Sequence, residues 1–154
     1  MLFRSFINAL LGRKVAKTGN EPAVTRMQSR HRLDTRTEVI DMPGLMWPKI
    51  EHESDGLMLA ASHAIGENAY VEEEVAEYLA GVLARRYPGL LERRYGIDPS
   101  QHDAVGLIEA IARRRGFLLR GGAVDYRKAA LTLLVDYRTG VLGRISLETP
   151  VSRA

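Results

Sequence analysis

Apolar residues recur along this chain with two different periods. Over residues 1–69 they come in short runs that alternate or break off. Over residues 70–154 they return every three or four positions. Side chains alternate faces on a strand but share a face at i, i+3 and i+4 on a helix, so the two periods predict different structure. The first part reads as α/β. Residues 5–11 (SFINALL) give a helix with one apolar face that Gly12 stops. Residues 13–27 contain Gly19 and Pro22 without periodicity and read as a loop. Residues 27–33 predict a weak strand, 34–36 a turn, and 37–40 a short β-branched strand ending at Asp41. Met42-Pro43-Gly44 breaks that strand. Residues 53–65 then place Leu57, Met58, Ala61 and Ile65 at helical spacing, and Gly66-Glu67-Asn68 closes the helix.

The second part reads as helix throughout. Residues 71–87 align Val75, Tyr78, Leu79, Val82 and Leu83 on one face. Pro88 opens a short helix over 89–95, ended by Gly96. Residues 103–115 turn Val105, Leu107, Ile108, Ile111 and Ala112 inward, and Gly116 ends them. Gly121-Gly122 is a tight turn or hinge. Residues 125–137 form a fourth helix through Ala129, Leu131, Leu133, Leu134 and Tyr137, and 141–147 read as a short terminal strand. The expected architecture is α/β followed by all-α, with a boundary at 69/70 and a four-helix C-terminal unit over 70–154.

Composition narrows the chemistry. With 154 residues, 45% of them hydrophobic, the chain can bury a core without staples. It has no Cys, which removes disulfides, thiolate metal sites and a Cys nucleophile, and suits a reducing cytoplasm. No run approaches the roughly 18 apolar residues of a membrane span. His31, His52, His63 and His102 are not at metal-ligand spacing and read as surface or packing residues. The net charge is only +3, but its distribution is uneven. Between 113 and 128 stand Arg113, Arg114, Arg115, Arg120, Arg127 and Lys128 against the single acid Asp125. That cluster reads either as a solvated helix end or as a surface for phosphates, which Arg meets in bidentate fashion.

One segment carries candidate catalytic chemistry: Val39-Ile40-Asp41-Met42-Pro43-Gly44. It is a short strand, an Asp at its carboxyl end, a spacer, and Pro-Gly entering a loop. Phosphate ligands in α/β folds sit at the carboxyl ends of strands. An Asp there can hold Mg²⁺ through water, and a Gly beyond it lets a backbone N–H approach a terminal phosphate. By itself D-x-P-G is also an ordinary turn, so its neighbours decide. Upstream stand a helix opening at Ser5 and a polar loop that reaches Thr25 before the first strand. Downstream follow Leu45-Met46-Trp47-Pro48-Lys49, Tyr87-Pro88, Arg115-Gly116, Gly121-Gly122, Asp125-Tyr126 and the tail Gly143-Arg144-Ile145-Ser146-Leu147-Glu148.

In that order these elements resemble the circularly permuted ribosome-assembly GTPases, most closely the ribosome biogenesis GTPase A group, over residues 5–150. The resemblance implies a partial P-loop GTPase core followed by a helical rRNA-binding domain, acting with GTP and Mg²⁺ in late assembly of the large (50S) ribosomal subunit in the cytoplasm. It implies Thr25 as the switch-I Thr that reaches Mg²⁺ and contacts nucleotide. It implies Asp41 as the water-mediated Mg²⁺ ligand, and Gly44 as the residue whose N–H touches the γ-phosphate. Leu45 stands where Ras-like enzymes carry a water-orienting Gln. A Leu cannot orient water, so it reads as a core residue. Trp47 reads as an anchor for the same segment.

The printed chain has neither a G-x-x-x-x-G-K-[ST] loop nor an Asn-Lys-x-Asp motif. The resemblance places Phe3 and Arg4 where the loop's Lys and Ser would stand, and it begins abruptly at Ser5. The expectation is therefore a fragment that does not bind GTP alone. A second reading is an autonomous helical RNA-binding module with a vestigial leader. A third is a metal-dependent hydrolase built on Asp41, Glu51, His52 and Glu53.

Overall fold

In the computed structural model, which describes residues 8–12, 28–41 and 50–149, residues 8–11 are helical, as expected of the segment that Gly12 stops, and a short antiparallel pair of strands precedes the helices of the core. Strand β1 (Ser29–Arg32) pairs with β2 (Glu38–Asp41), setting Ser29 opposite Asp41 and Arg32 opposite Glu38. The turn is written into Asp34. Its Oδ1 accepts from the backbone N–H groups of Arg36 at 2.7 Å and Thr37 at 2.8 Å. Those bonds hold the carboxyl below its ordinary range.

Five helices follow: α1 (Glu53–Ala61), α2 (Glu72–Arg86), α3 (Pro88–Tyr95), α4 (Ala104–Arg115) and α5 (Tyr126–Arg138). Their ends have local causes. Helix α2 opens on Glu72, Glu73 and Glu74 and closes on Arg85 and Arg86, which matches the helix dipole at both ends. Pro88 starts α3, and Gly96, at φ 67°, ends it in the left-handed region. Asp103 caps α4 by accepting from Gly106 N at 2.7 Å, and Asp125 caps α5 by accepting from Lys128 N at 3.0 Å.

Helix α2 is the hub, packed against α1, α3, α4 and α5. It buries Val75, Leu79 and Leu83 against Leu91 of α3, Leu107, Ile108 and Ile111 of α4, and Leu133 and Leu134 of α5. Helix α1 enters the same core through Ala60 and Ala61, both fully buried. The expected 69/70 boundary therefore falls between two helices that pack on each other.

Three local expectations differ from the structure. The helix predicted over 53–65 ends at Ala61, before Gly66, because His63 adopts φ 58°. The backbone there closes in a Schellman arrangement, with Ala64 N donating to Leu59 O at 2.8 Å and His63 N to Ala60 O at 2.9 Å. Val105 is 42% exposed and does not face the core. Residues 141–147 form no strand, since Gly140 (φ 77°) and Gly143 (φ 122°) bend the chain. Leu142 is buried instead, and Tyr87 pins Ser146 by donating to its carbonyl at 3.2 Å and accepting from its N–H at 3.1 Å.

Candidate functional site

Two groups of candidate residues meet very different surroundings. Thr25 and Gly44 lie outside the described residues, as do Leu45 and Trp47. The backbone of Asp41 is described. It closes β2 at the carboxyl end of the strand. Glu51, His52 and Glu53 are exposed. Among the described residues no three His, Asp or Glu side chains gather into a set that could hold a metal ion.

The basic run is described in full. Helix α4 ends in Arg113, Arg114 and Arg115, where cations complement the negative end of the helix. They have separate partners. Arg113 reaches back one turn to Glu109 at 3.1 Å. Arg114 Nη2 donates to the carbonyl of Gly96 at 2.9 Å, at the end of α3. Arg115 approaches Asp136 Oδ2 at 3.8 Å and lies 5.5 Å over the Tyr95 ring. The following turn is held by a bridge between Leu118 and Val124, and Leu119 N donates to Ala123 O at 2.7 Å. Its glycines take φ 92° and 84°, a backbone that glycine adopts without strain. Arg120 sits exposed in that turn and makes no ion pair among the described residues. Arg127 bridges to Glu72 at 3.1 Å and Glu73 at 3.8 Å, at the start of α2. Lys128 places its Nζ 4.7 Å from the Phe117 ring centroid. Apart from Arg113, paired along its own helix, the cations fall into two sets: Arg114 and Arg115, which end α4 and reach the end of α3, and Arg120, Arg127 and Lys128 near the start of α5.

Sequence reasoning missed the residue that organises the first set. Asp136 is 6% exposed on α5. Arg94 grips it in bidentate fashion, Nε to Oδ2 at 2.7 Å and Nη2 to Oδ1 at 3.0 Å, and Tyr95 donates its hydroxyl to Oδ2 at 2.8 Å. Burial pushes the carboxyl up, but the bonds from Arg94 and Tyr95 and the nearby charge of Arg115 outweigh it, so the group stays below its ordinary range. Burial and the same carboxylate push the Tyr95 phenol well above its ordinary value. Arg138 was also missed. Its guanidinium donates to Ala61 O at 3.0 Å, Ala60 O at 2.9 Å and Tyr70 Oη at 3.1 Å, capping α1 from α5. A third buried-edge pair joins α5 to α2: Tyr126 donates to Glu77 Oε1 at 2.8 Å.

Beside Lys128, the outer side of α5 carries a shallow groove of about 420 Å³, lined by Asp125, Arg127, Lys128, Leu131, Thr132 and Val135. Leu131, expected in the core, is a half-buried wall of it.

Comparison with known proteins places this arrangement in context. Residues 5–85 match the family model described as 50S ribosome-binding GTPase. The chain is similar to Ribosome biogenesis GTPase A of Priestia megaterium, 38% identical over 146 residues, which is 95% of this chain and 51% of that protein. It is 37% identical to Ribosome biogenesis GTPase A of Bacillus cereus over 95% of this chain and 49% of that protein. More distantly it is similar to Nucleolar GTP-binding protein 2 of Pneumocystis carinii, 29% identical over 88% of this chain and 27% of that one. The chain spans about half the length of the bacterial relatives.

Proposed function

The chain belongs to the 50S ribosome-binding GTPase family, and on that premise we propose that it carries the effector half of a GTPase acting in late assembly of the large ribosomal subunit in the cytoplasm. In this reading residues 70–154 form the rRNA-binding unit, and residues up to 69 supply part of the nucleotide site. Thr25 and Asp41 would hold Mg²⁺, directly and through water, while Gly44 and Thr25 would contact the terminal phosphate. When bound, Mg²⁺ would neutralise charge on the phosphates of GTP. What this chain offers them is a hydroxyl, a carboxylate and a backbone N–H.

One observation carries the proposal. The relatives named Ribosome biogenesis GTPase A align over 95% of the chain, so the likeness runs from the Asp41–Gly44 segment through the arginine-bearing helices. The basic surface supports the rRNA part, because arginines at a helix end can follow a folded phosphate backbone by shape. The test is a salt-titrated binding assay with purified large-subunit rRNA. If three to five arginines contact phosphate, the log–log salt slope is about −2 to −5. Salt-independent binding, or none, defeats the reading.

A second reading, an autonomous helical RNA-binding module, is favoured by the continuous helical core. Calorimetry separates the two: a GTP-dependent change in RNA affinity belongs to the first reading alone.

A further inference from the structure

We propose that the converging carboxyl-terminal ends of α3 and α4 form a preorganised edge for an RNA phosphate backbone, with Arg94, Arg114 and Arg115 as its contacts and Asp136 as the residue that positions them. This rests on the rRNA-binding reading above and deepens it: it selects one of the two basic sets and adds Arg94 and Asp136, which lie outside the run 113–128.

The argument begins with charge. Near the start of α5, Arg127 is bracketed by Glu72 and Glu73, and on α4 Arg113 is paired with Glu109. At the ends of α3 and α4 the balance differs. Arg94 and Arg115 converge on one carboxylate, Asp136, and Arg114 sits on the Gly96 carbonyl two residues beyond Arg94. Two guanidinium groups thus share one carboxylate and the third rests on a neutral carbonyl, so these four side chains carry a surplus of two positive charges. Asp136 is almost wholly buried, so it faces the arginines from inside and presents little charge outward. The arginines remain partly in water, with side chains 34% exposed for Arg94 and 35% for Arg115.

Geometry points the same way. A guanidinium has five N–H donors. Arg94 spends its Nε and Nη2 on Asp136, and Arg114 spends one Nη2 bond on Gly96. Arg94 is anchored by two bonds, Arg115 lies over the Tyr95 ring and Arg114 is tethered by one bond, so the directions of their remaining donors are restricted. Arg ordinarily loses rotamer freedom when it meets a phosphate, and here that loss is already met in folding. The three groups lie across the ends of two helices, so they fit a line of phosphates passing over the surface.

The test uses the full chain and a short labelled A-form RNA duplex, with thermal melting recorded for each variant. Arg94→Lys and Arg114→Lys keep the charge but lose the fork. Each is expected to weaken binding about tenfold with the salt slope unchanged. Asp136→Asn gives the sharper readout. Removing a negative charge strengthens binding to a polyanion if only net charge matters, whereas loss of positioning weakens it. A folded Asp136→Asn chain that binds more tightly than the parent overturns the proposal. If that variant fails to fold at the assay temperature, Arg114→Lys decides. Parental affinity in both lysine variants, with losses in Arg120→Ala and Arg127→Ala, moves the contact to the start of α5 and leaves the rRNA reading standing. If the parent binds neither the duplex nor large-subunit rRNA, the rRNA reading fails and this proposal falls with it.

Discussion

Helix α1 supplies a quantitative test of where the folding unit begins. Consider two segments, residues 53–154 and 70–154. The shorter one loses the buried methyl groups of Ala60 and Ala61 and the half-buried side chains of Leu57 and Ile65. At about 0.8 kcal/mol per buried carbon, the two methyls contribute about 1.5 kcal/mol. Half-burial of Leu57 and Ile65 adds about 2 kcal/mol. The bonds from Arg138 to Ala60 O and Ala61 O add about 1–2 kcal/mol, at the low end for a charged donor because the site is partly wet. Ordering the nine residues of α1 opposes this, and its own helical hydrogen bonds offset only part of that cost. Both segments are expected to melt cooperatively by circular dichroism, with 70–154 melting at the lower temperature. Arg138→Leu in the full chain isolates the cap and should lower the melt by about 3–8 °C. Equal melting temperatures for the two segments would refute the claim that α1 belongs to the helical core.

Other expectations follow from the same contacts. Asp136→Ala should cost about 2–3 kcal/mol at neutral pH, below the usual loss for a fully buried pair because Arg94 is partly exposed. Since the folded carboxyl lies below its ordinary value of 3.8, its contribution is present above about pH 4 and fades as pH falls through the lowered value; the gap between parent and variant should close in acid melts. Asp103→Ala removes the α4 cap and should cost about 1 kcal/mol, read as a lower denaturation midpoint with unchanged slope. A polypeptide of these 154 residues should show no calorimetric GTP binding in the micromolar range, because a few contacts do not offset the cost of immobilising a ligand; saturable micromolar binding contradicts this. Replacing Arg113, Arg114 and Arg115 together by Glu should lower the melting temperature as well as RNA affinity, since Arg114 and Arg115 bond to Gly96 and Asp136; Arg113→Glu with Arg120→Glu is the cleaner charge test.

The helices were legible because their stop and start signals are local. Asp103 and Gly116 frame α4 within a dozen residues, and Pro88 and Gly96 frame α3. The early end of α1 was not legible, because a left-handed His63 obeys no local preference strong enough to outweigh Gly66. The apolar alternation of 141–147 suggested a strand, but a strand needs an edge to pair with, and these residues lie against helices instead. The arginine run was visible, yet its division was not. What sorts Arg115 from Arg127 is Asp136 on one side and Glu72 on the other, brought in from 21 and 55 residues away. The same distance hid Arg94, which meets Asp136 across 42 residues. Of the nucleotide candidates, the motif was read directly, while Thr25 and Gly44 fall outside the described residues.

The Arg138 cap has a consequence for the order of events during synthesis. The carbonyls of Ala60 and Ala61 wait for a guanidinium 78 and 77 residues downstream. At about 5–20 residues per second, α1 emerges roughly 4–15 s before its cap exists. Through that interval α2, on which α1 packs, is made, but the two carbonyls have no guanidinium to meet. Helix α1 can therefore lie against α2 early, but its carboxyl end is capped only once translation has passed α5.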